Sequence, residues 1–386
     1  MINIASDSLE IGQNLNELIN LCEKSGATFH PDMTIQYKNS EFSITCNKSI
    51  KGRLANLTQD SLIPVASKHF TLENERLTLK DDADTGWSRL QEDIAHTMLA
   101  IFNHGQKIKQ FKKQSFWLTM AENSELRSHI SEAKKFSLSD ERFLDRNKSL
   151  SQQNQAIING FFNSRVLGLS KDGRQVQRVI MPVIDYMNHH WRGAPYNYQT
   201  TDSPGRLSVD CAQPNPESDE CFAFYNTMDA LDSYIKYGFA DLSAPLVRSV
   251  SLDISIENVG TIHIIGAIAK TARRKSLKSF KNIPRQVPLL GEVKKGSHLN
   301  VSHIFIPGPN TPFAMKRILA ALIQNLGVEK LSMTDLRKII EKCEEQIVEA
   351  NIAYYKKLET ITELQNLKEL ANSQLNKIDR YVRQCM

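Results

Sequence analysis

The chain has 386 residues, with 48 Lys and Arg against 43 Asp and Glu. Its mean hydropathy is −0.37. Such a length predicts two or three domains, with a core large enough to need no disulfide staples. The composition excludes a disordered or fibrous chain, and no apolar run reaches transmembrane length. The six cysteines, Cys22, Cys46, Cys211, Cys221, Cys343 and Cys385, form no CxxC pair. A zinc site or a thioredoxin-like motif is therefore not expected, and reduced thiols in a cytosolic protein are. MINIASDSLEIG has neither a basic nor an apolar leader region, so the expected location is cytoplasmic, away from membranes.

The elements follow in chain order. IGQNLNELINLCEKSG reads as an amphipathic helix with Ile11, Leu15, Leu18, Ile19 and Cys22 on one face, closed by Gly26. Short strands are predicted at 34–38, 41–46 and 62–65. From Trp87 to Phe162 the period is helical. Leu90, Ile94, Met98, Ile101 and Phe102 form one stripe, which ends at Asn103-His104-Gly105. SFWLTMAENSELRSHI and LSQQNQAIINGFFNS predict further helices. At Arg178 the pattern turns to strand, at 178–184, 206–211 and 220–225, with turn-rich DSPG and NPESD between them. Residues 247–268 predict a hairpin turning near Asn258-Val259-Gly260.

The remainder is helical. Residues 312–327 form one helix, and Ser332 to Asp335 resembles a capping box. From there to Met386 the sequence holds no Pro or Gly, which predicts one or two long helices, as in an αα-hairpin. The order is α+β, not a βαβ alternation. With no GxGxxG after a strand and no GxxxxGK[ST], neither a Rossmann-type site nor a P-loop is expected. Two basic runs stand out. Residues 270–295 carry nine Lys/Arg and one acid, and 107–113 read KIKQFKK. Such runs suit acidic protein surfaces or phosphates, but a solvated face is the commoner origin.

Three ordered stretches carry the candidate chemistry: Asn163-Ser164-Arg165-Val166-Leu167, MPVIDYMNHH (181–190) and FAFYNTMDALDSYIKYGF (222–239). Tyr237 follows Tyr225 by twelve residues. Together they resemble the SET-domain protein methyltransferases, in the branch of the Rubisco large-subunit lysine methyltransferase and the actin-histidine methyltransferase. The resemblance implies SET-type small β-sheets with a helical insert and a mainly α-helical C-terminal domain. The implied boundaries are 1–75 for the N-terminal helix and first part of the core, 76–160 for the insert, 161–243 for the rest of the core, and 244–386 for the helical domain.

It also implies S-adenosyl-L-methionine as cofactor and protein-lysine N-methylation as activity, with histidine as the other target of that branch. By the same resemblance Asn188 and His189 grip the cofactor, and Arg165 reaches its carboxylate. Glu41 and Phe42 border it, Phe239 packs beneath it, and Tyr225 lines both its pocket and the lysine channel. Tyr237 stands at the methyl-transfer point, and Ser164 and Asp185 border the channel. No metal is required.

The chain departs from the pattern in places. The family's glycine-rich turn is Lys38-Asn39-Ser40-Glu41-Phe42 here, without Gly. Asn39 accommodates positive φ, and Ser40 does so less readily. The family's Gly after the first Tyr is Asn226, and its Ser-Asn is Asp229-Ala230. These departures motivate an alternative, a SET fold without activity that binds proteins through its helical tail. The expected partner is a protein substrate met by a monomer. Nucleic-acid binding through 270–295 is the lesser reading.

Overall fold

A computed structural model describes residues 2–47, 52–119, 123–134, 149–171, 175–199, 205–265, 275–277, 280, 282–294, 297–327 and 331–385. Its contacts gather into two compact units. One is Met1–Leu118 with Arg142–Asn226, the other Thr119–Glu141 with Thr227–Met386.

The first unit opens on the strand Asn3–Ser6 and the helix Leu9–Lys24. Ser8 caps that helix by accepting the Ile11 N–H, and Ile11, Leu15, Leu18, Ile19 and Cys22 are buried as their spacing predicts. Thr34–Lys38 and Glu41–Thr45 pair antiparallel around Asn39-Ser40, and Asn3–Ser6 adds in parallel. A second sheet runs in the order Asn197–Gln199, Arg206–Asp210, Arg53–Thr58, Thr28–Phe29. Its strand Arg53–Thr58 was not expected from sequence. Leu, Ala and Asn have modest strand propensity, and pairing on both edges makes the strand.

The helix Arg89–His104 starts in a capping box of Ser88 with Gln91. Asn103, read as a stop signal, uses its carboxamide to bond both the N–H (2.8 Å) and the C=O (2.9 Å) of Leu77. The helix Leu150–Asn163 is boxed in the same way by Ser149 and Gln152, and its Phe161 and Phe162 pack on Phe102 and Phe70. The strand expected over 178–184 is Gln175–Ile180 in the structure. Pro182, which has no N–H to give a ladder, and a turn at Val183 divert the chain. Likewise 220–225 narrows to Phe222–Phe224.

The second unit holds the expected hairpin, Leu252–Ile256 with Gly260–Ile264. These strands continue into Leu289–Lys294 and His298–Val301, which were not predicted. The short helix Ala230–Tyr237 was also not predicted. Asp229 and Asp232 form its capping box, and Gly238 (φ 83°) closes it. The predicted segment 115–130 splits into Phe116–Thr119 and Ser124–Lys134. The tail is the αα-hairpin, Met333–Ile361 and Gln365–Cys385, packed beside Ala314–Asn325. Ser332 caps it through the Asp335 N–H. Among the described residues, no helix is long and apolar enough to cross a membrane. Of the basic run 270–295, residues 270–274, 278, 279, 281 and 295 lie outside the described residues.

Candidate functional site

Asn39 (φ 53°) and Ser40 (φ 67°) are both left-handed. The hairpin thus turns in two residues without glycine, in the geometry that matches strand twist. The Asp7 carboxylate accepts the Asn39 N–H at 2.9 Å. The Ser40 carbonyl accepts from Lys107 Nζ at 2.8 Å and from Gln110 Nε2 at 2.9 Å. One residue on, Glu41 is exposed. Phe42 is buried, with its ring stacked on Tyr186 at 4.3 Å.

Lys107 sits over the Phe42 ring at 4.8 Å and is 8% exposed. Its run read as a solvated face, but the structure buries its first member. Burial, aided by Arg165, lowers this ammonium to about 8 against the pull of Glu41 and Asp185. Sequence reasoning missed it. The available signal was a Lys at the first position of a helix, where the dipole disfavours a cation.

Arg165 and Asp185 bring the first two motifs together. Arg165 Nη1 donates to Asp185 Oδ2 at 2.8 Å, with the guanidinium 4.8 Å from the Phe161 ring and 5.2 Å from the Phe102 ring. Burial pushes the Asp185 carboxyl up to about 6, although Arg165 and Lys107 pull it down. Arg165 Nε is buried with no hydrogen-bond partner among the described residues. Ser164 ends its helix, and its hydroxyl donates to the Phe161 carbonyl.

Between these motifs the backbone is strained. Val183 has φ 67° and ψ −57°, and the Ile184 N–H donates to the Pro182 carbonyl at 2.8 Å. This is a γ-turn of the rare positive-φ kind, centred on a β-branched residue. The single 3-10 turn Ile184–Tyr186 follows, and then the strand Asn188–Pro195.

The second and third motifs meet where that strand runs parallel to Phe222–Phe224. His189 and Ala194 both pair with Ala223, so residues 190–193 bulge out between them. Gly193 permits the bulge, because a Cβ there would lie 2.5 Å from the Ala223 carbonyl carbon. The adjacent His189 and His190 thereby separate. His189 is buried, and its Nδ1 accepts the Tyr225 N–H at 3.1 Å, which assigns the ring proton to Nε2 when the imidazole is neutral. The half-buried His190 packs near Phe222. The Tyr225 hydroxyl donates to the Met187 carbonyl. Asn188 Nδ2 donates to the Phe42 carbonyl at 3.3 Å and to Glu220 Oε1 at 2.7 Å. Burial raises the Glu220 carboxyl, and the Asn188 bond opposes this. Glu220 was not singled out in the sequence.

Within the first unit Arg165 is therefore bonded to Asp185, Asn188 to the Phe42 carbonyl, and His189 to Tyr225. Tyr237 and Phe239 belong to the second unit, where their rings stack at 5.8 Å and Phe239 is 38% exposed.

No family model matches the sequence, and no curated protein does. Among solved structures, the chain is similar to the SET domain of LSMT bound to lysine and AdoHcy. The identity is 10% and the TM-score 0.38, over 96% of this chain and 90% of that one. The same domain with methyllysine and AdoHcy gives 11% and 0.39, over 95% and 90%. Rubisco LSMT with sinefungin and monomethyllysine gives 10% and 0.35, over 96% and 90%.

Proposed function

We propose that the chain is an S-adenosyl-L-methionine-dependent protein methyltransferase acting on lysine. The supporting observation is the linkage just described. Three separate stretches carry motifs that resemble those of one family, and within the first unit they are tied by Arg165–Asp185 and by His189–Tyr225. The residues fit the carboxylate end of a polar cofactor. Arg165 keeps a buried N–H without a partner among the described residues, and charge-assisted bonds to a carboxylate suit it.

When bound, S-adenosyl-L-methionine supplies a methyl group on a sulfonium. In this reading Asn188, His189 and Arg165 hold it, Glu41 and Phe42 border it, and Ser164 and Asp185 flank the amine. A lysine amine has an ordinary pKa near 10.4 and must lose its proton before attack. Desolvation favours the neutral form. Burial already lowers Lys107 in this way. Tyr225 supplies a hydroxyl oxygen to orient the amine, and a positioned near-attack arrangement provides much of the acceleration.

A second reading is a protein-binding adaptor. One observation favours it: the Asn188 amide is already engaged by Phe42 and Glu220, and one arm of Arg165 by Asp185. Calorimetric titration of S-adenosyl-L-methionine into the parent and into Asn188→Ala separates the two. Micromolar binding that is lost in the variant supports the enzyme. Labelled-methyl transfer to extract proteins should then be abolished by Tyr237→Phe with binding retained. No binding to either protein leaves the adaptor.

A further inference from the structure

Three of the six cysteines, none near another in a metal-motif spacing, come together in the first unit. Cys46 follows the strand Glu41–Thr45, Cys211 follows Arg206–Asp210, and Cys221 precedes Phe222–Phe224. Their Sγ atoms all lie within 4.8 Å of one another, and those of Cys211 and Cys221 are 3.2 Å apart. Backbone bonds hold the three segments in place. The Cys46 N–H donates to the Asp219 carbonyl, Cys221 to Ile44 and Cys211 to Gly52. Gln213 Nε2 bridges the Cys46 carbonyl (2.6 Å) and the Asp219 carbonyl (2.9 Å).

We infer that Cys46, Cys211 and Cys221 form a binding site for one zinc ion. Zinc–thiolate bonds of about 2.3 Å set tetrahedral sulfur separations of about 3.8 Å. That value falls within the spread of the cluster, so small side-chain rotations complete the site. Among the described residues no His, Asp or Glu joins the three thiols, which leaves the fourth position to water. Cys46 and Cys221 are buried, and Cys211 is partly exposed, giving water and ion a route. Charge selects a divalent ion. Three thiolates around Zn2+ carry a net −1, whereas around Cu+ they carry −2 in a mostly buried place, a costlier arrangement. Binding releases the thiol protons to solvent, with no change of oxidation state. A bound ion would pin the ends of three strands beside Glu220, the residue that holds Asn188.

The full-length protein, reduced and stripped with a chelator, is titrated with Zn2+ and followed by native mass spectrometry and thermal unfolding. One Zn2+ per chain with a raised Tm is expected. Cys46→Ser and Cys211→Ser should each weaken binding by about a hundredfold or more, beyond what loss of a supporting outer contact costs. Cys343→Ser, a buried thiol of the second unit, should leave it unchanged. X-ray absorption on the unmutated Zn2+ protein needs no variant to fold, and should count three sulfurs. Any of four results would overturn the site: no uptake by the reduced protein, uptake of Cu+ but not Zn2+, two or fewer sulfurs, or undiminished binding in Cys211→Ser.

Discussion

At Asn39-Ser40 two side chains occupy backbone space that glycine enters without cost. For an L-residue the left-handed region costs roughly 1–2 kcal/mol, less for Asn, whose amide bonds locally. The strain at Ser40 is retained because its carbonyl anchors Lys107 and Gln110. Those bonds belong to the backbone and survive removal of the side chain. Ser40→Gly should therefore raise stability by about 1 kcal/mol, after the added freedom of the unfolded chain is subtracted. Ser40→Ala keeps the strain and should show no gain. Urea midpoints of the two variants against the parent check this. Val183 is the sterner case, since it is fully buried and holds a γ-turn beside Asp185. Strain of this kind collects at functional positions. Nothing in MPVIDYMNHH announces it, because Val is among the residues least suited to positive φ.

The helices of the tail meet on one buried carboxylate. Glu344 is 1% exposed and accepts from the Tyr381 hydroxyl, while Lys316 lies 3.3 Å from its other oxygen. Three helices, Ala314–Asn325, Met333–Ile361 and Gln365–Cys385, converge there. Tyr381→Phe keeps the ring packed and removes one donor from a buried charge, which should cost about 2 kcal/mol. Glu344→Gln, which can still accept, should cost less than Glu344→Ala, which strands Lys316. Denaturant unfolding followed by far-ultraviolet circular dichroism ranks the three.

Elements with strong periodicity and caps were legible, as Leu9–Lys24, Arg89–His104 and the αα-hairpin show. Elements defined by partners were not. Arg53–Thr58 is a strand because two neighbours pair with it. The break between the last two helices is made at Thr362, whose hydroxyl accepts the Leu364 N–H, without the Pro or Gly that would mark it. The site divides in the same way. Its motif residues were singled out in the sequence by order and spacing. Glu220 and the clustered thiols become visible only when the chain folds, since local spacing says nothing about Cys46 meeting Cys211 and Cys221.

For the molecule as a whole, the buried cluster of Asp185, Arg165 and Lys107 makes stability depend on pH in two windows. The Asp185 carboxyl is raised from 3.8 to about 6, so the folded state holds this proton more tightly than the unfolded chain does. Its contribution to stability is full below pH 4 and is lost as pH rises toward 6. Lys107 is lowered from 10.5 to about 8, so the unfolded chain holds that proton more tightly. Its contribution therefore rises with pH between about 8 and 10.5. Each swing amounts to about 3 kcal/mol at 1.36 kcal/mol per pKa unit. The fluorophores Trp87, Trp117 and Trp191 all belong to the first unit, so emission follows its unfolding. Urea titrations across pH 4–10.5, subtracted from those of Asp185→Asn and Lys107→Met, remove the background of the other carboxylates and amines. Parent stability should fall relative to Asp185→Asn between pH 4 and 6, and should climb relative to Lys107→Met above pH 8. The opposite slope in the acid window would mean that Arg165 outweighs burial, and that the carboxylate beside the proposed amine channel is ionised well below neutrality.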